Sequence, residues 1–123
     1  MRFLCLVYFE NAIWDSISPE EDIRLTDESL AYDGVLARGG HFIAANALQP
    51  TETATTLQVR NGQVTSKDGP FAETKEVLGG FILIEARDKQ EALTLAAGIP
   101  MARYGSIEVR PIQVLTASTG GAT

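Results

Sequence analysis

The first segment of the chain, Arg2 to Phe9, constrains the fold most, because as a strand it would have apolar side chains on both faces. In a strand, one side would carry Phe3, Cys5, Val7 and Phe9, and the other Leu4, Leu6 and Tyr8. A strand that is apolar on both faces is typical of the centre of a sheet that is covered on both sides. Both faces of this strand must therefore pack against other parts of the folded protein or its assembly.

A helix is predicted to follow, beginning after Ser18. Ser18 as the cap, Pro19 at the first helical position and Glu21 three residues after the cap form a capping box. The pattern that extends this helix to Arg38 consists of residues spaced by three, four or seven: Ile23, Leu30, Gly34 and Ala37. We expect Gly34 to make a close backbone contact with the sheet, because glycine costs about 1 kcal/mol relative to alanine inside a helix.

The remaining elements follow from turn and cap signals. Asn61-Gly62 is a strong signal for a tight turn between two hairpin arms. Asp88 and Glu91 cap a second helix. We expect its apolar side to hold Ala92, Leu93, Ala96 and Ala97. The predicted strands after the first helix are His41 to Leu48, the hairpin arms Ala54 to Arg60 and Gln63 to Ser66, then Gly80 to Ala86 and Ser106 to Leu115.

Without the hairpin, the order of elements is strand, helix, strand, strand, helix, strand. This order predicts an α+β fold of the ferredoxin-like split βαβ type, with an antiparallel sheet and an extra β-hairpin. Both helices then cover one face, and the other face is too apolar to meet water, so we expect a homodimer whose sheets pack face to face. The 123 residues suit a single domain, residues 1–123, with a flexible tail from about residue 116.

Composition excludes several classes of ligand and location. With 10 basic and 16 acidic residues, the net charge of −6 and the lack of a basic cluster argue against direct binding of nucleic acid. One cysteine and one histidine exclude an intrachain disulfide, a cysteine zinc site and a multi-histidine metal site. No cofactor motif is present, so we expect no cofactor. Without a long apolar run or a convincing signal peptide, we expect no membrane span and a cytoplasmic location.

The motif DGPFAETKE, from Asp68 to Glu76, is the most specific signal in the chain. Together with Leu78-Gly79-Gly80-Phe81 and the segment Ile107 to Ile112, it resembles the DGPF-domain branch of the YCII-related family. This resemblance implies a dimeric α/β barrel built from ferredoxin-like protomers. It implies little about chemistry, because the activity of the family is largely unassigned. Some relatives are fused to sigma-factor domains, which implies a role near transcription initiation.

The wider family carries a histidine in its first helix and an aspartate beside the end of its second helix, proposed as a catalytic pair. By approximate spacing, these positions fall at Ser29 and Ile99 in this chain. Neither residue matches, so the resemblance does not transfer this pair.

The DGPF loop allows two interpretations. Asp68, Pro70 and Phe71 could form a rigid turn in which the phenyl ring anchors to the core, or a loop that presents a carboxylate to a cleft. Glu73 and Lys75 could be solvated surface charges or part of a proton-transfer site.

His41 follows two glycines at a helix-to-strand junction. It is either a hydrogen-bonded residue at the start of a strand or a general base that replaces the missing family histidine. The second reading requires His41 to share a cleft with Asp68 or Glu73.

The remaining candidates could bind an anion or line a cleft. Arg103 and Arg110 offer planar guanidinium groups that suit a carboxylate or phosphate. Glu108 shares a strand face with Arg110 and could form an ion pair with it. The aromatic residues Tyr8 and Trp14 are candidates for the core or for a cleft wall. Cys5 is expected to be buried and inert.

Two functions from different classes stay open. The first is a small-molecule binding or enzymatic site in the cleft of a dimeric α/β barrel. Its candidate catalytic residues are His41, Asp68 and Glu73, and its candidate ligand-binding residues are Tyr8, Pro70, Phe71, Lys75, Arg103 and Arg110. The second is a non-catalytic regulatory or protein-interaction module with a partner such as a sigma factor, whose basic surface would suit the acidic chain. The sequence does not separate catalysis from simple binding.

Overall fold

The computed structural model describes residues 1–118. The elements in chain order are β1 (Arg2–Glu10), α1 (Ile13–Ser16), α2 (Pro19–Arg38), β2 (Phe42–Ala47), β3 (Thr55–Arg60), β4 (Gln63–Asp68), β5 (Glu76–Glu85), α3 (Lys89–Ala97) and β6 (Ser106–Pro111). Two single 3-10 turns, Thr51–Thr53 and Pro100–Arg103, complete them. The short α1 and both 3-10 turns were not predicted, since such brief elements carry little periodicity.

The main sheet has the strand order β2-β5-β1-β6, and each neighbouring pair is antiparallel. Strands β3 and β4 form a separate two-stranded sheet. Their turn has positive φ at both Asn61 and Gly62, as a type I′ hairpin requires. The predicted α+β fold of the ferredoxin-like type with an extra hairpin is therefore confirmed.

The core lies between one face of the main sheet and the helices. From β1 and β5 it takes alternate residues, and from the helices and the turn after α3 it takes a few apolar side chains: Phe3, Cys5, Val7, Ile82, Ile84, Leu25, Leu36, Ala92, Ala96, Ile99 and Met101. Burial raises the pKa of the Cys5 thiol to about 11, so this cysteine stays a neutral apolar residue, as predicted.

The opposite face of the sheet is the one that the helices leave open. Directly opposed residues of antiparallel strands share a face, and Leu4 opposes Leu83 while Leu6 opposes Phe81. All of these side chains are only half-buried. We call this set the open face. The uncovered apolar surface is thus present as predicted, whereas the homodimer that would cover it stays a prediction.

Helix α2 begins and ends where the sequence predicts. Ser18 accepts a hydrogen bond from the Glu21 amide at 3.1 Å, and the helix ends at Arg38. The pattern that predicted this length does not mark the buried side of the helix, however, because Ile23 is 64% exposed and Leu30 is 65% exposed. The buried residues of this helix are Leu25 and Leu36.

Gly34 does not make the close sheet contact that we expected. A Cβ atom at this position would approach only the flexible Arg38 side chain, at 3.4 Å. Nothing in the structure explains the choice of glycine there.

Two predicted strand ends differ from the observed ones by four residues, for reasons of pairing. β5 begins at Glu76, four residues before the predicted start, because its first residues pair with the end of β1 beyond a bulge after Val7. β6 ends at Pro111 and not at Leu115, because its pairing with β1 ends where Phe3 opposes Pro111, next to the first residue of β1. The predicted flexible tail falls largely on residues 119–123, which lie outside the described residues. In the described part of the chain, no helix has the length and apolar character needed to cross a membrane.

Candidate functional site

A cleft of about 450 Å³ lies between α2 and the main sheet. Its sheet side is formed by residues from β1, β2 and β5, and its far end by Ile99, Pro100 and Met101 after α3. A smaller cavity of about 290 Å³ adjoins it and shares Phe9, Trp14 and Asp22 with it. The cleft is larger than the adjoining cavity and has a more apolar lining, so it is the primary candidate site.

The helix side of the cleft carries a polar stripe, which we define as Asp22, Thr26, Ser29 and Asp33 of α2. Their spacings of four, three and four residues place them on one face of the helix. This face lies about 60° around the helix from the buried Leu25 and Leu36, at 100° per residue. The polar stripe therefore borders the core without entering it.

The opposite side of the cleft is apolar. Phe9 and Trp14 form an edge-to-face pair with ring centroids 5.1 Å apart, and Val7 and Ile82 continue the wall. Gly79 makes room for this arrangement, because a Cβ atom there would overlap the Phe9 ring. The cleft thus combines the hydroxyl and carboxyl groups of the polar stripe, beside Leu25 and Leu30 of the same helix, with a mainly apolar and aromatic wall opposite.

Two ionisable groups of the cleft, the carboxyl of Asp33 and the hydroxyl of Tyr32, are perturbed by their environment. Asp33 is half-buried, and desolvation raises the pKa of its carboxyl above the ordinary value. Its neighbour Tyr32 donates a hydrogen bond to the Leu95 carbonyl at 2.6 Å, which joins α2 to α3. Desolvation, followed by the influence of Cys5, raises the pKa of the Tyr32 hydroxyl. Tyr32 therefore acts as a structural tie, and Asp33 is the group suited to exchange a proton.

His41 lies away from the cleft. Its Nδ1–H donates to the Glu85 carbonyl at 2.8 Å, and its own carbonyl accepts from the Glu85 amide. His41 thus lies beside Glu85, the last residue of β5, whereas Lys75 directly precedes Glu76, the first residue of the same strand. Ten residues of strand place these points about 30 Å apart. A single chain therefore does not bring His41 into one cleft with Asp68 or Glu73.

The DGPF loop forms a turn. Gly69 has φ of 107°, and its amide donates to the Ala54 carbonyl at 2.7 Å. The expectation that Phe71 anchors to the core is wrong, because this side chain is 81% exposed. Pro70 is half-buried and Asp68 is exposed at the end of β4.

The charged residues after the turn lie at the surface. Glu73 is exposed, and Lys75 forms an ion pair of 3.5 Å with Glu10. None of the residues of this loop lines the cleft within the described residues.

The remaining candidates also lie elsewhere. Tyr8 opposes Leu78 and Ser106, and Arg110 opposes Leu4, so both belong to the open face. Arg103 forms an ion pair of 2.6 Å with Glu28 of α2, and this partner raises the pKa of its guanidinium. Arg103 therefore joins the turn after α3 to α2 and is already neutralised.

Two positions that the sequence assigned by spacing do line the cleft: Ser29 and Ile99. Trp14 lines it too, in agreement with its interpretation as a cleft wall. Asp33, one helical turn after Ser29, was missed. The spacing of the polar stripe along α2 could have pointed to it. In the sequence alone, such a spacing is typical of a solvent-exposed helix face, and only the position of the sheet shows that it borders a cleft. In residues 1–118, no three His, Cys, Asp or Glu side chains gather closely enough to hold a metal ion.

Comparison with known proteins identifies a family and individual proteins that are similar to this chain. The family model of the YCII-related domain matches residues 1–116. An uncharacterized protein of Rhizobium meliloti (strain 1021) is 37% identical over 114 residues, which cover 91% of this chain and 92% of the relative.

Among solved structures, the chain is similar to a 5-chloro-2-hydroxyhydroquinone dehydrochlorinase from Burkholderia phenoliruptrix AC1100, in complex with 2,5-dihydroxybenzoquinone. The TM-score is 0.54 at 15% identity, over 98% of this chain and 99% of the other. At this identity the likeness shows a shared fold.

Proposed function

The chain belongs to the YCII-related domain family, and on that premise we propose that it binds a small molecule in the cleft and transfers a proton to or from it through Asp33. The observation that carries this proposal is the half-buried carboxyl of Asp33 on the wall of the cleft. We place the chain in the DGPF branch of the family on Asp68 to Phe71, and in the cytoplasm.

The size and lining of the cleft support a small ligand. Pockets for small molecules commonly enclose about 300–1,000 Å³ and combine apolar walls with a few polar groups. The cleft has this character, since its apolar wall faces the polar stripe. An apolar ligand body would displace water from the Phe9–Trp14 wall, while Ser29 and Asp33 would orient its polar groups.

The environment of Asp33 supports proton transfer. A carboxyl group in a partly desolvated cleft keeps its proton to higher pH than one in water. It is therefore a better general acid, and after ionisation a stronger base, at the pH of the cell. Proton transfer of this kind is worth about a hundredfold or more in rate.

The structural neighbour suggests which compounds to test first. That protein is a dehydrochlorinase whose structure holds 2,5-dihydroxybenzoquinone, so this fold can accommodate a small oxygenated ring there. The relative from Rhizobium meliloti is uncharacterized and adds no reaction. Phenols and quinones are thus a reasonable first panel for this chain.

We also propose that two copies pack through the open face. The half-buried Leu4, Leu6, Phe81 and Leu83 would be removed from water by a second sheet. Leu6→Glu should then yield monomers in light scattering coupled to size exclusion, whereas the exposed Leu93→Glu on α3 should not. A wild-type chain that is monomeric at high concentration would contradict this part of the proposal.

The test of the site itself compares two aspartates of α2. Wild-type protein is screened against phenols and quinones by thermal shift, since a ligand at a hundred times its Kd stabilises by about 2.7 kcal/mol. Turnover of any compound that is converted should fall about a hundredfold in Asp33→Asn. It should stay unchanged in Asp27→Asn, because Asp27 is exposed and outside the cleft. Full turnover in Asp33→Asn, or no ligand for the wild type, would contradict the proposal.

A second candidate function is a non-catalytic protein-interaction module. The observation that favours it is an exposed apolar face on the hairpin, where Val59 opposes Val64 and Leu57 lies on the same side. Leu57→Ser with Val59→Ser should abolish partner binding if this module is the function, and should leave ligand binding in the cleft intact. No feature of residues 1–118 points to a sigma factor as that partner.

A further inference from the structure

The charges and aromatic rings of the cleft indicate a class of ligand, an inference that rests on the proposed function. We propose that the cleft prefers ligands in which a cationic amine is joined to an apolar or aromatic body, over neutral and anionic analogues of the same shape. The juxtaposition that carries this proposal is Asp22 beside the Phe9–Trp14 pair, with Asp33 further along the same wall.

The ionisable groups of the lining are acidic, apart from the Tyr32 hydroxyl that already bonds to Leu95. Within residues 1–118, no lysine, arginine or histidine is among the side chains that line the cleft. The nearby Arg103 is paired with Glu28 at 2.6 Å. The guanidinium of Arg38 lies 3.4 Å from the Cβ position of Gly34 and is not part of the lining. An anion in the cleft would thus lose water and meet charges of its own sign.

The Phe9–Trp14 pair lies with Asp22 at one end of the cleft, which is where we expect the cationic group to bind. Phe9, Trp14 and Asp22 line both the cleft and the adjoining cavity, so they mark the place where the two meet. An edge-to-face contact occupies at most one face of each ring, which leaves ring faces available to a cation. A carboxylate next to aromatic faces is the combination that binds ammonium groups, because both attract positive charge.

The body of the ligand follows from the other wall. Val7, Ile82 and Met101 are buried, line the cleft and offer no charge. An apolar or aromatic body would displace water there, while the amine stays near Asp22 or reaches Asp33. A small inorganic cation or a polyamine without an apolar body would leave this wall uncovered.

The experiment uses three probes that share a phenyl ring and a two-carbon side chain: 2-phenylethylamine, 2-phenylethanol and phenylacetate. At neutral pH they are cationic, neutral and anionic. Titration calorimetry on the full chain measures Kd, and the fluorescence of Trp14, the single tryptophan, reports whether the probe enters the cleft. The amine should bind about tenfold more tightly than the alcohol, and phenylacetate should bind least.

Variants separate the charge effect from a general loss of binding. Asp22→Asn and Asp33→Asn should each weaken binding of the amine more than binding of the alcohol, so that the preference for the amine over the alcohol falls. The matched control Asp27→Asn should keep the wild-type preference. Thermal melts of each variant confirm that it is folded. Added salt should lower the affinity for the amine more than that for the alcohol.

Each outcome bears on the inference. Equal affinities for the three probes, tighter binding of phenylacetate, or an unchanged preference in both variants would overturn it, while the binding observed would leave the proposed function standing. Absence of binding by all three would also overturn it, and the proposed function would then depend on the panel of phenols and quinones. Failure of that panel together with the three probes would overturn both.

Discussion

The cleft and the DGPF loop are opposite cases of a candidate site. The loop carries the most specific motif of the chain, yet Asp68, Phe71 and Glu73 are exposed, and Lys75 pairs with Glu10 at the surface. The cleft carries no motif, yet it encloses about 450 Å³ and desolvates Asp33 enough to raise the pKa of its carboxyl. Water screens the exposed charges of the loop, whereas the cleft partly withdraws the carboxyl of Asp33 from water. The motif therefore identifies the family, and the concave surface identifies where chemistry is favoured.

The largest effect expected from this contrast concerns two glycines. Gly79→Ala should destabilise the protein by about 2–3 kcal/mol, because the new methyl group would overlap the Phe9 ring and force it out of the cleft wall. Gly69→Ala in the loop should cost about 1–2 kcal/mol, because its strain comes from φ of 107° alone and no atom lies near the added Cβ. Urea unfolding of both variants measures the difference. A smaller loss for Gly79→Ala than for Gly69→Ala would break the comparison.

A second, smaller effect tests whether His41 belongs with the structural or the functional residues. His41→Ala should cost about 1 kcal/mol, since it removes the 2.8 Å hydrogen bond to the Glu85 carbonyl. Ligand binding in the cleft should not change, because His41 stands at the other end of β5 from the DGPF loop and outside the cleft lining. A loss of turnover in folded His41→Ala would restore its role as general base.

Asp33→Asn should change stability by less and in the opposite direction. The folded-state pKa of Asp33 is raised, so the folded protein holds this proton more tightly than the unfolded chain does. The stability that the group contributes is present below the unfolded pKa of about 4 and is lost as the pH rises through the folded pKa. The asparagine variant should therefore be more stable than the wild type at neutral pH, with a gain that disappears on acidification. Melting temperatures of both proteins across this pH range test the sign, and a gain that persists in acid would contradict it.

The smallest effect is expected in the loop. Lys75→Met should change the free energy of unfolding by less than about 1 kcal/mol, because its ion pair with Glu10 is exposed and screened. The same change should leave ligand affinity in the cleft unaltered. If Lys75→Met weakened a cleft ligand tenfold, the loop would have to reach that ligand, and the separation between the two regions would fail.

Much of the fold could be predicted because its signals are local. The Ser18 cap, the end of α2 at Arg38 and the Asn61-Gly62 turn depend on residues that are neighbours in the chain. The alternation in β1 also predicted which of its residues share a face, since strand geometry sends successive side chains to opposite faces. The bare face of the sheet followed from the order of the elements.

The candidate site was harder to predict because its residues come from distant segments. Charged groups in loops attracted attention, and the structure places Arg103 in an ion pair and Arg110 on the open face. Asp33 offered no motif, and its perturbed environment exists only once α2 lies against the sheet. Ser29 and Ile99, the positions given by approximate spacing, line the cleft, although their side chains lack the chemistry of the family pair.

By itself, the sequence determined the kinds of elements, their order and the apolar alternation of β1, since each depends on backbone preferences within a few residues. Only the tertiary structure decided which side of α2 faces inward. Apolar residues occur on two sides of that helix, Ile23 with Leu30 and Leu25 with Leu36, so periodicity alone does not choose between them. The apolar area that Leu25 and Leu36 bury against the sheet makes the choice, and the same rotation turns the polar stripe toward the cleft.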